Sequence, residues 1–356
     1  MLVRPLLDGP LDIVGDVHGE FDALQQLLAR LGYGVNGEHP AGRRLVFVGD
    51  LCDRGPQSAT TLRFVADLVH RGLAQLTLGN HELNTLRLQR KPGSEWFFDP
   101  QGRARVAEHR DILDFLRAQP LALERPDLRV SHAAWVGPAI AALRMETDDA
   151  ATAFARHEAR VTREAAHRGL ASAAQEESAQ WREHIGDEHA QVPLLRHTGL
   201  LDGFLQVGNP LRLVSSGVER LATRPFFAAG KWRFVDRVRW WREYPDRVPV
   251  VFGHYWRWWD PAAHALLSKG ERLLFEGAGP ADWLPTRLGT EAMCIDYSVG
   301  ARFKERKLGR APPYSGRLAA LRWPERELVF DAAAGRPACD GAEIPCAPPG
   351  TAARRS

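Results

Sequence analysis

Five short segments of this 356-residue sequence place a metal-binding side chain directly after an apolar, β-rich run. Together they offer carboxylates, imidazoles and an amide, which is the mixed nitrogen and oxygen ligand set of a pair of divalent transition metals. That ligand set predicts metal-assisted hydrolysis of a phosphate ester or anhydride. The segments are Gly15-Asp16-Val17-His18-Gly19, Gly49-Asp50-Leu51-Cys52-Asp53-Arg54-Gly55, Gly79-Asn80-His81-Glu82, Ser131-His132 and Gly253-His254.

The spacing of these residues suggests how two cations would be held. Asp16 and His18 alternate in an extended segment, so both can point toward one cation. Asp50 can bridge two cations, with one carboxylate oxygen to each. Cations held about 3.5–4 Å apart can share a water, lower its pKa and clamp a phosphoryl group for in-line attack. A neutral amide and two imidazoles would complete the shell of the second cation: Asn80, His132 and His254.

Three further residues in the same segments have the chemistry of catalytic groups. His81 follows Asn80 and could protonate the leaving oxygen, a task suited to an imidazole near its own pKa. Asp53 could hold the His81 ring in the right orientation. Arg54 offers a planar fork that matches phosphate oxygens. We therefore expect His81, Asp53 and Arg54 to be catalytic, with Arg54 and Asn80 also contacting the substrate.

The first 135 residues alternate predicted strands and helices, and the motifs fall where strands end. Apolar residues at three- and four-residue spacing predict an amphipathic helix from Phe21 to Leu31. Strands that alternate with helices imply parallel βαβ units, whose ligands gather at the carboxyl ends of the strands. Predicted strands cover residues 11–14, 44–48, 75–78 and 128–131, and further helices cover residues 59–69 and a stretch from residue 82.

The second half of the chain is less regular. Alanine, glutamate and arginine dominate residues 139–190, which predicts two helices inserted between the fourth and fifth motifs. A lid, a substrate-selecting cap and an oligomer surface are all open roles for this insert. Strands are predicted at residues 211–215, 248–252, 292–297, 318–323 and 327–330. We expect one domain over residues 1–335 and a disordered tail over residues 336–356, which are rich in Ala, Gly and Pro.

The bulk composition sets only broad limits. A net charge of +3 does not argue for a nucleic-acid or membrane partner, although basic residues concentrate in 231–247 and 302–310, as a solvated face or an anion-attracting rim. Four cysteines do not make a disulfide framework. Because no apolar segment of about 20 residues appears, we expect a cytoplasmic protein. The oligomeric state is left open.

At this point the motifs carry a family resemblance. Gly-Asp-x-His-Gly, Gly-Asp-x-x-Asp-Arg-Gly and Gly-Asn-His-Glu, in this order, resemble the phosphoprotein phosphatase branch of the calcineurin-like metallophosphoesterases. Ser131-His132-Ala133 and Gly253-His254 match the later ligand positions of that family. The segment from Cys294 to Asp296 and the run after Gly316 are similar to its closing strands. The resemblance covers residues 11–140 and 248–330, and the insert lies outside it.

The resemblance implies an α/β fold, a four-layer α/β/β/α sandwich with a helical insert. It also implies a dinuclear centre of manganese, iron or zinc and a metal-bridging hydroxide as nucleophile. Its ligand positions correspond to Asp16, His18 and Asp50 for one metal, and its acid to His81. Protein phosphatases of this family use a second arginine before the last histidine, for which the candidates are Arg220, Arg224 and Arg233. The second metal would take Asp50, Asn80, His132 and His254.

The substrate is less well defined than the reaction. Ala133-Ala134-Trp135 stands where protein phosphatases carry a glycine pair, and Leu78 resembles the diadenosine tetraphosphate hydrolases. Asp53, by contrast, favours the phosphatases. We expect hydrolysis of phosphomonoesters of the Ser/Thr phosphoprotein type, with a dinucleoside polyphosphate as the alternative substrate. The partner would then be a phosphorylated protein or a nucleotide.

Tryptophans near the last motif could serve either packing or binding. Trp256, Trp258 and Trp259 follow His254, and Trp240 and Trp241 precede the strand before it. An indole beside the metals could stack on a nucleobase. Tryptophan more often fills a core. Trp135 is the remaining candidate for lining the pocket.

Overall fold

Two five-stranded sheets form the body of the protein. The computed structural model describes residues 1–228, 230–258, 274–275 and 291–332. One sheet has the order β1-β5-β6-β9-β10 and the other the order β12-β11-β2-β3-β4. The strands are β1 (Val3–Pro5), β2 (Leu11–Val14), β3 (Arg44–Phe47), β4 (Ala74–Leu76), β5 (Ala122–Arg125), β6 (Leu128–Ser131), β7 (Glu219–Ala228), β8 (Lys231–Arg237), β9 (Val250–Phe252), β10 (Ala292–Cys294), β11 (Ala319–Trp323) and β12 (Glu327–Phe330).

The described helices flank the sheets or belong to the insert. Helices α1 and α2 cover the sheet that contains β2 and β3. The bounds are α1 (Phe21–Leu31), α2 (Ser58–His70), α3 (Asn80–Leu86), α4 (Arg110–Arg117), α5 (Gly137–Arg144), α6 (Ala150–His167), α7 (Leu170–Ala179), α8 (Arg196–Gly208), α9 (Pro210–Ser216) and α10 (Arg302–Lys307). Among the described residues, none of the helices is long and apolar enough to cross a membrane.

Side chains alternate between the two faces of each strand, and this alternation places them in different layers of the fold. Ile13, Val46 and Val251 lie in one buried cluster between the two sheets. Their neighbours Phe47 and Phe252 point the other way, into the cluster shared with the helices. A period of two puts successive side chains on opposite faces, so each of these strands is buried on both sides. The predicted α/β/β/α sandwich is therefore confirmed.

Strand direction brings the predicted motifs together. Strands β2, β3 and β4 are parallel, and so are β6, β9 and β10. Within each sheet the carboxyl ends of these strands therefore lie at the same end, and the segments that contain the predicted ligands follow them. The alternating pattern did not reveal the three antiparallel pairings within these sheets, β5 with β6, β11 with β2 and β11 with β12. Strands β1 and β5 were also not predicted.

The chain between β6 and β9 differs from the expectation in three ways. Residues 139–190 contain three helices, α5 to α7, where two were predicted. The predicted strand at residues 211–215 is wrong, because these residues form α9. Pro210 stands in its first turn, and the Asn209 side chain accepts hydrogen bonds from the N–H of Leu211 and Arg212 at 3.1 and 3.4 Å. An N-terminal cap followed by proline favours a helix. These two signals outweigh the apolar run, which suggested a strand.

The third difference is a hairpin that the sequence did not predict. Strands β7 and β8 form a separate two-stranded sheet, with a register irregularity between Leu221 and Phe226. Part of the basic run that begins at Lys231 lies in β8. The expectation for residues 336–356, and the positions of Cys339 and Cys346, lie outside the described residues. Cys52 and Cys294 are buried free thiols.

Candidate metal centre

All six predicted ligands follow or begin elements that meet at one end of the sandwich. Asp16 and His18 follow β2, Asp50 follows β3, His132 follows β6 and His254 follows β9. Each of these five side chains is buried. The sixth ligand, at the start of α3, is Asn80.

Three of these residues have the left-handed backbone conformation that is rare outside glycine. The φ angles are 49° for His18, 51° for Asp50 and 73° for His254. Strained backbone of this kind persists where surrounding structure fixes it, and it concentrates at functional sites. The turns after β2, β3 and β9 are thus shaped for the side chains that they carry.

Asp50 lies between two groups of donor atoms. Its Oδ2 is 3.7 Å from His18 Nε2, and its Oδ1 is 3.4 Å from His132 Nε2. His18, Asp50 and His81 form one group of potential ligands, and Asp50, His132 and His254 form the other, with donor atoms within 4.8 Å of one another. Asp16 adjoins the first group, because its Oδ2 is 3.9 Å from His18 Nε2. The two carboxylate oxygens of Asp50 thus face different groups.

Hydrogen bonds to the backbone orient two of the imidazoles. His18 Nδ1 is 3.0 Å from the carbonyl of Cys52, and His132 Nδ1 is 2.9 Å from the carbonyl of Val48. A carbonyl can only accept, so each Nδ1 carries the proton and donates. In the neutral imidazole this arrangement leaves Nε2 as the atom with the free lone pair, as a metal-ligating histidine requires.

The residues fit a cation pair. Within the described part of the chain, Asn80 Oδ1 and His132 Nε2 are buried without a hydrogen-bond partner. An unsatisfied buried polar atom costs free energy, so two of them among the predicted ligands indicate that something outside the chain completes them. A neutral amide, imidazoles and carboxylates are suitable ligands for manganese, iron or zinc.

The charge balance of the site points the same way. Burial raises the pKa of Asp16 well above its usual range, and the nearby carboxylates of Asp296 and Asp50 raise it further. Burial alone would also raise the pKa of Asp50, but His132 and His81 hold it well below its usual range. Crowded carboxylates repel one another, and a bound cation would remove that cost.

Glu82 holds the Asp50 turn against the turn before α3. Its buried carboxylate accepts hydrogen bonds from the backbone of both turns. The donors are the N–H groups of Asp50 at 2.8 Å, Leu51 at 2.7 Å and Gly79 at 2.9 Å. The sequence analysis gave Glu82 no role, although it lies in the Gly-Asn-His-Glu motif. These contacts fix the turn that carries Asp50 relative to the one that carries Asn80.

His81, Asp53 and Trp96 form a hydrogen-bonded chain beside the ligands. His81 Nδ1 is 2.6 Å from Asp53 Oδ2, and the Trp96 indole N–H donates to Asp53 Oδ1 at 2.6 Å. Both oxygens of Asp53 are therefore engaged, which fixes its carboxylate plane and the His81 ring. His81 Nε2 faces the site, 3.9 Å from Asp50 Oδ2. Trp96 was not predicted to contribute.

Arg54 extends across the opening of the site. One guanidinium nitrogen contacts His18 Nε2 at 2.5 Å and the other contacts His81 Nε2 at 3.0 Å. Its Cζ lies 4.7 Å from the centre of the Trp256 ring, a cation–π contact. Arg54 thus reaches both His18, a predicted ligand, and His81, the predicted acid.

An arginine outside the predicted candidates lies near His254. Arg237, on β8, packs with its Cζ 5.7 Å from the centre of the Tyr255 ring. Burial lowers the pKa of His254 well below its usual range, and the Arg237 charge is the next largest cause. Of the three predicted candidates, Arg220 and Arg224 are exposed on β7. Chain position alone could not find Arg237, because the hairpin that carries it was not predicted.

The tryptophans divide into packing residues and one residue at the site. Trp135, Trp240, Trp241 and Trp258 are buried in the hydrophobic clusters. Trp256 is partly exposed, and both Arg54 and Lys304 contact its ring. Trp259 lies outside the described residues.

Comparisons with known proteins agree with the motifs. Residues 9–132 match the family model of calcineurin-like phosphoesterases. The asymmetrical bis(5'-nucleosyl)-tetraphosphatase PrpE of Halalkalibacterium halodurans is 48% identical over 73 residues, which are 20% of this chain and 30% of that protein. The symmetrical bis(5'-nucleosyl)-tetraphosphatase of Vibrio campbellii is 36% identical over 124 residues, 34% of this chain and 43% of that protein.

A solved structure is similar over most of the chain, but at low identity. A cold-active protein-tyrosine phosphatase from a Shewanella species has 16% identity and a TM-score of 0.43, covering 92% of this chain and 78% of that one. Over residues 9–132, which the family model matches, the predicted family resemblance is confirmed. This chain spans less than half of the length of the two curated relatives named above, so their substrates are properties of those proteins.

Proposed function

We propose that this chain, whose residues 9–132 match the calcineurin-like phosphoesterases, is a dinuclear metal-dependent phosphoesterase that hydrolyses phosphomonoesters. The observation that carries this proposal is the position of Asp50. One of its oxygens lies toward His18 and the other toward His132, as expected for a carboxylate shared by two cations. Bound cations would supply Lewis-acid charge for the phosphoryl group and activate a water as nucleophile.

The ligand assignment follows from the same geometry. Asp16, His18 and Asp50 would hold one cation. Manganese is our first expectation, with iron or zinc as alternatives, since the ligand set suits all three. Asp50 would be shared with the second cation, whose other ligands would be Asn80, His132 and His254.

Arg54 would bind the phosphoryl oxygens. Its contact with His18 Nε2 uses the same imidazole lone pair that a cation ligand needs. Coordination by His18 therefore releases one guanidinium nitrogen of Arg54, which can then donate to a phosphate oxygen. Arg237 is our candidate for the second phosphate-binding arginine, because it lies against the residue that follows His254.

His81 would deliver the proton to the leaving oxygen. Asp53 fixes the Nδ1 proton of its ring, so Nε2 is the atom that faces the substrate. Protonation of the leaving group by a positioned imidazole contributes typically 10²–10⁴-fold to the rate. Asp53 and Trp96 would act through the orientation of His81.

A second candidate function is hydrolysis of a dinucleoside polyphosphate. It is favoured by the names of the relatives from Halalkalibacterium halodurans and Vibrio campbellii, which are bis(5'-nucleosyl)-tetraphosphatases. The catalytic residues would be the same.

The proposed domain still comprises residues 1–335, and the insert packs against the rest of it. Arg87, just after α3, lies with its Cζ 3.7 Å from the centre of the Phe154 ring on α6.

One set of assays tests both functions. The manganese-loaded protein is given p-nitrophenyl phosphate, a phosphoserine peptide and diadenosine tetraphosphate. Turnover mainly of the first two supports the phosphomonoesterase, and turnover mainly of the dinucleotide supports the second candidate. Asp50→Asn should lose the activity, whereas Asp22→Asn, at an exposed carboxylate on α1, should keep it. A protein with both metals bound that hydrolyses none of the three would refute the proposal.

A further inference from the structure

Five basic side chains lie close together in the fold: two follow α3, one is on α9 and two are on β8. Arg87 and Arg212 both lie over the ring of Phe154, with their Cζ atoms 3.7 and 5.5 Å from its centre. The positive charges of Arg87, Arg212, Lys231 and Arg233 all act on Lys91. We call these residues the basic cluster: Arg87, Lys91, Arg212, Lys231 and Arg233.

The hairpin contributes one charged face to this cluster. Side chains alternate along β8, so Lys231, Arg233 and Arg237 share a face, and Trp232 and Phe234 lie on the other. Phe234 is buried in a small apolar cluster with Val192 and Leu195, and Trp232 packs against it. The opposite face therefore carries three cations, with the buried Val235 between the second and the third. The third is Arg237, which lies beside Tyr255.

The cluster adjoins the proposed phosphate site from a second direction. Lys91 lies two residues before Gly93, whose carbonyl accepts a hydrogen bond from the Arg54 N–H at 2.8 Å. A Cβ at Gly93 would come within 3.0 Å of the Arg54 backbone, so the two segments are in direct contact. The segment that carries Lys91 is thus fixed to the backbone of Arg54, and the charge of Arg233 acts on Lys91.

Acidic residues offset only part of this charge within the described residues. Arg212 pairs with Glu158 at 2.5 Å, while the other four members make no ion pair with a carboxylate there. Asp202 and Glu219 are the further acidic residues within range of these charges. Partial desolvation of its ammonium lowers the pKa of Lys91, and four neighbouring like charges lower it further. Such a concentration of like charge is costly unless an anion offsets it.

We propose that the basic cluster binds the additional phosphates of a condensed phosphate chain while one phosphoryl group occupies the metal centre. This inference rests on the proposed phosphoesterase function and favours condensed phosphates, the class of its second candidate substrate, over simple phosphomonoesters. Arginine and lysine side chains donate charge-assisted hydrogen bonds to phosphate oxygens, and a simple monoester offers no phosphate that could reach the cluster. A chain of several phosphates follows the line of cations from Arg54 outward.

Two sources could provide such a chain, a nucleoside oligophosphate and an inorganic polyphosphate. Both present the same phosphoanhydride oxygens to the cluster, so the test includes both. An acidic phosphopeptide belongs to a different class of partner. If substitutions in the cluster weakened the binding of such a peptide alone, the proposal would be contradicted.

The decisive measurement is a ratio of inhibition constants. Orthophosphate and inorganic tripolyphosphate compete with p-nitrophenyl phosphate in the manganese-loaded protein, at a fixed concentration of free Mn²⁺. The wild type should bind tripolyphosphate more tightly than orthophosphate. Lys91→Gln combined with Arg233→Gln should reduce this preference about tenfold, since each exposed charge pair contributes a few-fold. The exposed arginines of the control pair, Arg30→Gln and Arg247→Gln, lie outside the cluster and should leave it unchanged.

The outcomes separate this inference from the proposed function. An equal loss in the control pair, or an unchanged ratio in the cluster variant, overturns the subsite. A wild type that hydrolyses nothing refutes the phosphoesterase, and calorimetric titration of tripolyphosphate into the metal-free protein still tests the cluster. Tighter binding of diadenosine tetraphosphate than of tripolyphosphate supports a nucleotide source, and equal binding supports an inorganic one. If the cluster variant loses affinity only for an acidic phosphopeptide, the subsite is wrong.

Discussion

His81 is the residue whose substitution tests the catalytic arrangement most directly. His81→Asn removes the imidazole Nε2 that faces the site but keeps the backbone N–H, which donates to Asp50 Oδ1 at 3.0 Å. The turn that carries Asn80 should therefore keep its position. We expect the variant to bind both metals and to lose turnover.

The size of the loss should depend on the leaving group. A positioned general acid contributes typically 10²–10⁴-fold, which is about 2.7–5.5 kcal/mol of transition-state stabilisation. The serine oxygen of a phosphoserine peptide would leave as an alkoxide unless an acid protonates it. The full loss of about 10²–10⁴-fold should therefore appear with this substrate. Nitrophenolate leaves without a proton, so p-nitrophenyl phosphate should lose less than about tenfold if His81 acts as an acid.

The assay compares kcat for the two esters with the bound metal measured in the same samples. His70→Asn, at an exposed histidine on α2, serves as the matched control and should behave as the wild type. An equal loss on both esters, with two metals still bound, would refute the acid role and leave His81 a structural residue.

Asp53 provides an internal check on the same reasoning. If Asp53 acts only by orienting His81, the single substitution Asp53→Asn should slow turnover of the phosphoserine peptide. The same substitution should cause little further loss of turnover in a protein that already carries His81→Asn. Residues that act as a unit are strongly non-additive. Two losses that multiply in the double variant would show that Asp53 has a separate role.

Three further outcomes are expected. Asp50→Asn should bind fewer than two manganese ions in equilibrium dialysis, and two ions at wild-type affinity would contradict the bridging assignment. Burial alone would lower the pKa of His132, but Asp50 raises it to about 10, so the imidazole is charged at pH 8 and must lose a proton to become a ligand. Calorimetry in buffers of different protonation enthalpy should therefore detect proton release on metal binding, and its absence would count against His132 as a ligand. A Cβ at Gly253 would lie 2.0 Å from Asp16 Oδ1, so Gly253→Ala should destabilise the fold by about 1–3 kcal/mol in denaturant unfolding and weaken metal binding. Gly137→Ala, with nothing within 4 Å, should do neither.

The sequence predicted the parts of the site that depend on local pattern. Strand-ending motifs such as Gly15-Asp16 and Gly49-Asp50 stand beside short apolar runs, and parallel pairing then carries their side chains to one edge. That inference needs only the periodicity of strands and the geometry of βαβ units. It placed the ligand motifs without knowledge of which strands are neighbours.

The missing parts depend on contacts between distant segments. Arg237 reaches Tyr255 only because β8 pairs with β7 and the hairpin lies against the end of β9, and no local pattern encodes that docking. Trp96 donates to Asp53 across 43 positions of chain. The strand predicted at residues 211–215 was wrong for the opposite reason. The cap at Asn209 and the proline after it are local signals for a helix, but the prediction gave more weight to the apolar run.

Hydrogen bonds within the chain already hold most of the metal centre in position. The imidazoles of His18 and His132 are fixed by carbonyls, and Glu82 fixes the turn of Asp50. Binding two cations there therefore requires the loss of the His132 proton but little rearrangement of these groups. Arg54 is different, because its guanidinium occupies the lone pair of His18 that a cation needs. We therefore expect metal binding and the release of Arg54, the proposed phosphate-binding arginine, to be linked at His18 Nε2. A phosphate ester should then bind less well to the metal-free protein for that reason as well as for the missing charge.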